Sequence, residues 1–283
     1  MDVPTHLAHL TGEPVARLHP LGASHAWTLH RAETTDGRTL FIKALHDGDT
    51  SQALTAEAAS LRWLAEGHPH LVPPVLAADP RMLVLPWQPT QSATPTAAEH
   101  LGRDLATLHA ATPTTYGAPW TGYIATLPLD NTPATDDWGT WYAHHRLAPY
   151  LPAAAPHLGR DGTRLIERVI NRIDDLAGPP EPPARIHGDL WSGNILWATD
   201  HALLIDPAAH GGHRETDLAM LALFGTPHLD RILAAYQEVT PLSSGWRQRI
   251  PLHQLHPLLV HVVLFGGSYR GMLLAAAASA LAA

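Results

Sequence analysis

His187-Gly188-Asp189-Leu190-Trp191-Ser192-Gly193-Asn194 is followed, twelve residues after the asparagine, by Asp206 in Ile205-Asp206-Pro207. These two short runs decide the reading of the chain. An aspartate five residues before an asparagine, with a second aspartate beyond a short apolar strand, supplies the parts that phosphoryl transfer needs. Asp189 can accept the proton of an attacking hydroxyl. The side-chain oxygen of Asn194 and the carboxylate of Asp206 can hold Mg2+ against the phosphates of ATP. Magnesium takes hard oxygen ligands in near-octahedral geometry and shares them with substrate phosphates. A lone His-x-Asp is common by chance, whereas the full run with its downstream aspartate is specific. His187 is read as a brace for the loop rather than a chemical group.

A second signal is independent of the first. The chain holds one lysine, Lys43, against seventeen arginines. It sits in Thr39-Leu40-Phe41-Ile42-Lys43-Ala44, a short β-like run placed as the third strand of a kinase N-lobe would be. There an ammonium grips the α- and β-phosphates, and a planar guanidinium fork does not replace it. The bland alternative is that one lysine had to fall somewhere; its strand and its distance upstream of His187 favour the phosphate role. Glu57, on the first long helix after Lys43, is the expected ion-pair partner, with Glu66 as rival. Asp217, at a helix start, is expected to accept hydrogen bonds from the catalytic-loop backbone. The phosphate-covering segment is the weakest signal. Pro20-Leu21-Gly22-Ala23-Ser24-His25-Ala26 has one glycine, so Gly22 and Ser24 are candidates only because a turn's backbone amides can cradle phosphate.

Working outward, the first third is strand-rich. Ala26 to Arg31 leads into Thr35-Asp36-Gly37-Arg38, a hairpin turn signal. Thr50 to Glu66 reads as a helix with Leu54, Ala58, Leu61 and Ala65 on one face, stopped by Gly67-His68-Pro69. Val75 to Ala78 and Met82 to Leu85 read as further strands. Pro86-Trp87-Gln88-Pro89 then breaks the pattern as a hinge. Thr96 is expected to cap a helix running to His109, with Glu99 and Arg103 as an i,i+4 pair. Tyr116 to Asp137 reads as irregular. Trp138 to Leu151 and Thr163 to Leu176 read as helices, and Gly178 to Pro183 as a rigid linker that launches the catalytic loop. Helices follow Asp217, ending in an Ala-rich tail from Ala275 expected to fray. The expected architecture is α+β and two-lobed, like a protein kinase. Residues 1–85 form a small antiparallel-sheet N-lobe with one helix, 86–91 a hinge and 92–283 a helical C-lobe.

Composition excludes several classes. At 283 residues the chain allows one large domain or two lobes around a cleft. A formal charge of −8 argues against a nucleic-acid partner. Zero cysteines exclude disulfides, Cys-ligated zinc and Cys nucleophiles, and fit a reducing cytosol. Met1-Asp2-Val3-Pro4 lacks a basic n-region and an apolar h-region, so no signal peptide is expected. No apolar run reaches the roughly 18 residues of a membrane span, so no membrane partner is expected. The 21 histidines group most closely as His144/His145, His210/His213 and His253/His256/His261, without an HExxH. They read as surface histidines in a lysine-poor protein.

The run from His187 to Asn194, together with His210-Gly211-Gly212-His213-Arg214-Glu215-Thr216-Asp217-Leu218-Ala219-Met220, closely resembles the fructosamine/ketosamine-3-kinase family. Aminoglycoside phosphotransferase and choline kinase relatives share the His-Gly-Asp and the later Asp but usually lack the Trp-Ser-Gly insert and the Gly-His-Arg-Glu run. The resemblance covers nearly the whole chain. It implies an ATP- and Mg2+-dependent kinase acting on a sugar hydroxyl of a ketosamine, free or protein-bound, such as a fructosamine or ribulosamine. The 3-phosphate formed is unstable and frees the amine. A cytoplasmic monomer is expected. Trp191 either stacks on the sugar or packs inside the C-lobe. His213 and Arg214 are expected to position substrate or phosphate. In the hinge, Pro86 has no N–H, so its carbonyl alone can meet adenine, and a donor must come from Trp87 or Gln88. The alternatives are an aminoglycoside- or choline-type alcohol kinase and a non-catalytic nucleotide-binding scaffold. The intact Asp189, Asn194, Asp206 and Lys43 argue against the last.

Overall fold

The structure, a computed structural model, describes residues 2–24, 26–46, 48 and 50–283. His25, in the glycine-poor segment, and Met1, in the N-terminal tetrapeptide, lie outside the described residues. A short helix, α1 (Val3–Thr11), which the sequence reading did not anticipate, precedes strands β1 (Val15–Ser24), β2 (Trp27–Thr34) and β3 (Thr39–Leu45). Helix α2 (Ala53–Gly67) and strands β4 (Ala77–Asp79) and β5 (Met82–Pro86) complete the first lobe. The five strands form one antiparallel sheet in the order β1-β2-β3-β5-β4. Strand alternation explains its two faces. Leu40, Ile42 and Ala44 point to one side, where Leu7 of α1, Met82 and Val84 join them in a small core. Phe41, Lys43 and Leu45 therefore point to the other side, toward α2 and the cleft. The Asp36-Gly37 turn forms as expected, with Gly37 at φ 86° between β2 and β3.

The second lobe is helical. It starts with α3 (Pro95–Ala110). The cap is Thr94 rather than Thr96, its hydroxyl accepting from Ala97 N at 3.1 Å. Pro95 then occupies the first helical position, where a missing N–H costs nothing. Glu99 and Arg103 do not pair; they reach across to Arg231 at 2.6 Å and Glu238 at 2.8 Å. The segment read as irregular holds a small hairpin, β6 (Gly122–Ile124) and β7 (Leu127–Leu129), with Ala125 at φ 50° in its turn. The helix expected over 138–151 is split. It comprises α4 (Trp138–Tyr142) and a π-helical stretch, 143–147, before α5 (Leu151–Asn171) begins. Gly159, at φ 70°, kinks α5, and α6 (Ile173–Leu176) is a separate short helix.

The catalytic segment lies among short strands: β8 (Ala184–Ile186), β9 (Ile195–Trp197), β10 (Ala202–Leu204) and β11 (His210–Gly212). β9 pairs with β10 and β8 with β11. Helices α7 (Arg214–Leu223), α8 (Leu229–Val239), α9 (Trp246–His253), α10 (Leu255–Phe265) and α11 (Arg270–Ala282) follow. The stretch Trp246–Ala282 is long and apolar enough, by length and composition, to cross a membrane, which reading the apolar runs did not reveal. Here it divides into α9, α10 and α11, broken at Gln254 and at Gly266; these pack on one another, and α10 and α11 pack on α5. The Ala-rich tail does not fray: Ala276, Ala277 and Ala280 are buried in the same core as Ile166 and Val169 of α5. A further core joins the lobes, running from Leu54 and Leu61 of α2 through Leu101 and Leu105 of α3 to Leu190 and Leu204.

Candidate active site

Lys43 sits at the centre of the sheet face that meets the cleft, only 3% exposed. Its Nζ donates to Glu57 Oε2 at 2.7 Å and to Asp206 Oδ1 at 3.1 Å, and lies 4.5 Å from the Trp27 ring centroid. Burial alone would lower its pKa, but the Glu57 and Asp206 carboxylates more than offset this and hold it above the ordinary lysine value. Glu57, not Glu66, is thus the ion-pair partner. Glu66 instead reaches Arg185 at 3.4 Å.

Asp206 follows β10 with φ 54°, a left-handed conformation uncommon outside glycine. Such geometry costs about 1–3 kcal/mol and persists where surrounding bonds impose it. Those bonds are present: Ile205 N donates to Asn194 O at 3.1 Å, and Ile205 O meets His187 Nε2 at 3.0 Å. His187 is fully buried, and burial lowers its pKa, so it is a neutral brace. Gly188, at φ 82°, is required, because a Cβ there would lie 2.3 Å from Ala208 O. Asp217 at the start of α7 accepts from His187 N at 2.7 Å, Gly188 N at 2.9 Å and His109 Nε2 at 3.1 Å. Burial would raise this carboxyl, but His109 and the backbone donors hold it below its ordinary value.

Asp189 opens onto the cleft. Burial first, and the negative charge of Asp206 second, push its pKa up to about 7. Asn194 Nδ2 donates to Asp189 O at 2.8 Å and Oδ2 at 3.2 Å. This leaves the amide oxygen of Asn194 for a cation. With the half-exposed Asp206 carboxylate it makes a hard-oxygen donor pair that fits Mg2+. Lys43, Glu57, Asp189, Asn194 and Asp206 line one cavity of about 150 Å³.

Beside it lies an apolar slot of about 250 Å³, walled by Leu21, Phe41, Leu196 and Ile205 and edged by Pro86, Trp87 and Gln88. Its size and flat apolar walls suit a purine ring. Trp87 N donates to Thr39 O at 3.0 Å, so that backbone group is spent inside the sheet. The glycine-poor segment is not a free loop. Pro20 to Ser24 form the end of β1, with a register shift between Pro20 and Gly22. Leu21 turns to the slot and Ser24 to the central cavity, while a Cβ at Gly22 would meet nothing within 4 Å.

Trp191 does not pack inside the C-lobe. It is 38% exposed and lines the cleft, with its ring seated against Gly193, where a Cβ would lie 2.3 Å from the indole. His213 and Arg214, by contrast, are turned away from the cleft. His213 is 3% exposed and caps α7 by accepting from Glu215 N, and burial pushes its pKa down to about 3. Arg214 forms a bidentate pair with Glu181 at 2.6 and 2.7 Å. Neither side chain is free to hold substrate or phosphate. The structure also gathers Glu215 with His213 and His253, two histidines that sequence spacing had left in separate groups, with ligand atoms within 4.8 Å. Both Glu215 oxygens are occupied by Arg249, at 2.9 and 2.6 Å. Tyr123, Ile124 and Ala125 of the β6–β7 hairpin line the cleft too, and no sequence signal marked them.

A buried lysine on an antiparallel sheet, paired with a glutamate of the adjoining helix and facing an Asp/Asn/Asp set on a helical lobe, defines a two-lobed kinase-like phosphotransferase. A macrolide 2′-phosphotransferase type I shares this fold, with a TM-score of 0.64 at 20% identity over 96% of this chain and 94% of that one. The chain belongs to the fructosamine kinase family, whose sequence profile matches residues 4–282. It is 33% identical over 257 residues to the Escherichia coli (strain K12) protein named Probable ketoamine kinase YniA, covering 88% of this chain and 87% of that protein. A crystal structure of a Thermobifida fusca protein named putative fructosamine-3-kinase superposes with a TM-score of 0.96 at 52% identity, covering 100% and 99% of the two chains.

Proposed function

We propose that this chain transfers the γ-phosphoryl group of Mg-ATP to a sugar hydroxyl of a ketosamine. The observation that carries this reading is the Lys43 ammonium bridging Glu57 and Asp206 in the cleft that Asp189 and Asn194 line, in a chain of this family. In this reading adenine occupies the apolar slot at the hinge and Lys43 holds the α/β-phosphates. Asn194 and Asp206 would hold Mg2+, which when bound would neutralise charge on the phosphates. The acceptor hydroxyl faces Asp189. Its proton passes to that carboxylate as its oxygen bonds the γ-phosphorus, the bond to the β–γ bridging oxygen breaks, and ADP leaves. Trp191 offers a flat face to the C–H side of the sugar. The choice of O3 follows the name given to the Thermobifida fusca relative. Beyond Asp189 the acceptor side carries no further carboxylate among the described residues, which disfavours a polycationic aminoglycoside. We further take the protein to act as a cytoplasmic monomer, on free or protein-bound ketosamines.

The test is to incubate protein, Mg-ATP and a synthetic fructosamine or ribulosamine, and follow phosphate incorporation and then slow release of free amine. Phosphorylation at O3 is the expected result. Turnover of choline or an aminoglycoside without any ketosamine turnover would overturn the reading.

A further inference from the structure

Past Asp189, on the side away from the hinge, the cleft opens into a cavity of about 550 Å³. Its wall is a run of rings. Trp191 meets Phe224 edge-on at 6.4 Å, Phe224 lies 5.2 Å from His261, and Tyr269 lies 4.7 Å from His261 and 5.9 Å from Phe265. Trp191, Phe224 and Phe265 remain 38%, 38% and 49% exposed. Exposed apolar side chains scattered singly need no explanation, but a contiguous patch opening from a catalytic cleft marks a binding surface. Among the described residues Asp189 is the only charged side chain in the lining. His261 adds no cation near neutrality: burial lowers its pKa and outweighs the opposite pull of its Nδ1 bond to Pro257 O at 2.7 Å.

We propose that this groove takes the amine arm of the ketosamine and selects arms that are apolar and carry no carboxylate. The inference rests on the ketosamine reading above. The groove is continuous with the reaction centre, since Ser24, Ile124, Asp189 and Trp191 line both cavities. A sugar placed at Asp189 therefore directs its nitrogen substituent along the rings. The protonated secondary amine gains from aromatic faces and from Asp189. Methylenes or an aryl group beyond it bury apolar area. A carboxylate on the same arm would lose its hydration with no cation to meet it. The substrate class is a ketosamine of an alkyl or arylalkyl amine, a chemistry shared by the side-chain arm of lysine inside a peptide.

The experiment compares ketosamines of hexylamine, Nα-acetyl-lysinamide and 6-aminohexanoic acid, by kinetics with Mg-ATP and by calorimetric binding. Both carboxylate-free arms are expected to exceed the 6-aminohexanoate compound by about tenfold or more in kcat/KM, carried mainly by KM. The better of the two tells free amine from peptide-borne lysine as the source. Phe224→Ala and, separately, the more exposed Phe265→Ala should bring the ratio close to one, with folding verified by thermal melting. Equal kcat/KM for the compounds with and without the carboxylate, or an unchanged ratio in both variants, overturns the inference. If no ketosamine is turned over, the functional reading fails and calorimetry still decides the groove. Binding of the hexylamine compound that is lost in the variants sustains the proposal, and no binding overturns it.

Discussion

Replacing Lys43 separates what the lysine does for the fold from what it does for the reaction. Its ammonium has neighbours on three sides: Glu57 at 2.7 Å, Asp206 at 3.1 Å and the Trp27 ring at 4.5 Å. Lys43→Met leaves Glu57, 8% exposed, without its partner. Removing one member of such a pair typically costs about 3–5 kcal/mol, because the other charge stays buried and uncompensated. Adding Glu57→Leu replaces the pair with apolar volume, which is often neutral, so the double variant should regain most of the lost stability. Activity should not follow. Both variants lack the phosphate-gripping ammonium, and loss of one preorganised charge in a phosphoryl-transfer site is expected to cost on the order of 10²-fold or more, about 2.7 kcal/mol of barrier. Lys43→Arg tests geometry at constant charge. A guanidinium brings two more nitrogens into a closed space, and overpacking of about 1–3 kcal/mol accompanies the misplaced charge. Chemical denaturation and steady-state kinetics on the same four proteins give the answer. Near-wild-type kcat/KM in Lys43→Arg, or recovery of activity together with stability in the double variant, would refute the argument.

Asp189→Asn should lower turnover by roughly 10²–10⁴-fold while nucleotide affinity, read by calorimetry, stays close to wild type. The base must be ionised and its pKa is pushed up to about 7, so kcat/KM should fall about tenfold per pH unit below that value and level off above it. A pH profile that is flat down to pH 5 would remove Asp189 from the role. Gly193→Ala places a methyl 2.3 Å from the Trp191 ring and should displace the indole, raising KM for ketosamine more than KM for ATP; equal changes in both would count against Trp191 as a sugar platform. Asp217→Ala orphans two backbone N–H groups and His109, at about 1–3 kcal/mol for each unsatisfied group, so thermal melting should drop sharply. An unchanged melting temperature would contradict the buried clamp.

The cleft residues that sequence identified share one property: chemistry constrains both their type and their spacing. Asp189, Asn194 and Asp206 must be oxygen donors set on a loop and a strand end, and Lys43 must be an ammonium on a β-strand, so a linear pattern carries them. Glu57 was legible as a carboxylate one helix away. The acceptor groove had no such signature. Phe224, His261, Phe265 and Tyr269 lie at the end of α7, on α10 and in the turn before α11, and each reads alone as an ordinary apolar or amphipathic residue. The β6–β7 hairpin has three-residue strands, too short for alternation to register. The Thr94 cap was missed by two positions because Thr94 and Thr96 flank the same proline, and only the backbone decides which hydroxyl reaches an amide.

The run from His213 to Asp217 shows how a motif beside a reaction centre can be read too chemically. Its residues do not face the substrate; they tie three distant parts of the chain to one helix start. His213 caps α7. Arg214 reaches back to Glu181, in the proline-rich linker that launches the catalytic loop. Glu215 holds Arg249 of α9, and burial fails to raise its carboxyl because His253 and Arg249 keep it down at about 2. Asp217 grips the loop backbone at His187 and Gly188. A loop fixed at its entry by Arg214–Glu181 and at its turn by Asp217 has little freedom to move Asp189, which is what positional catalysis requires. The physical reason for so many charges in a buried place is mutual satisfaction: each is paired, so removing one strands another. Arg214→Ala should therefore act through Glu181, destabilising the fold and lowering kcat without a selective rise in KM for ketosamine. A selective KM rise at unchanged stability would return Arg214 to the substrate site.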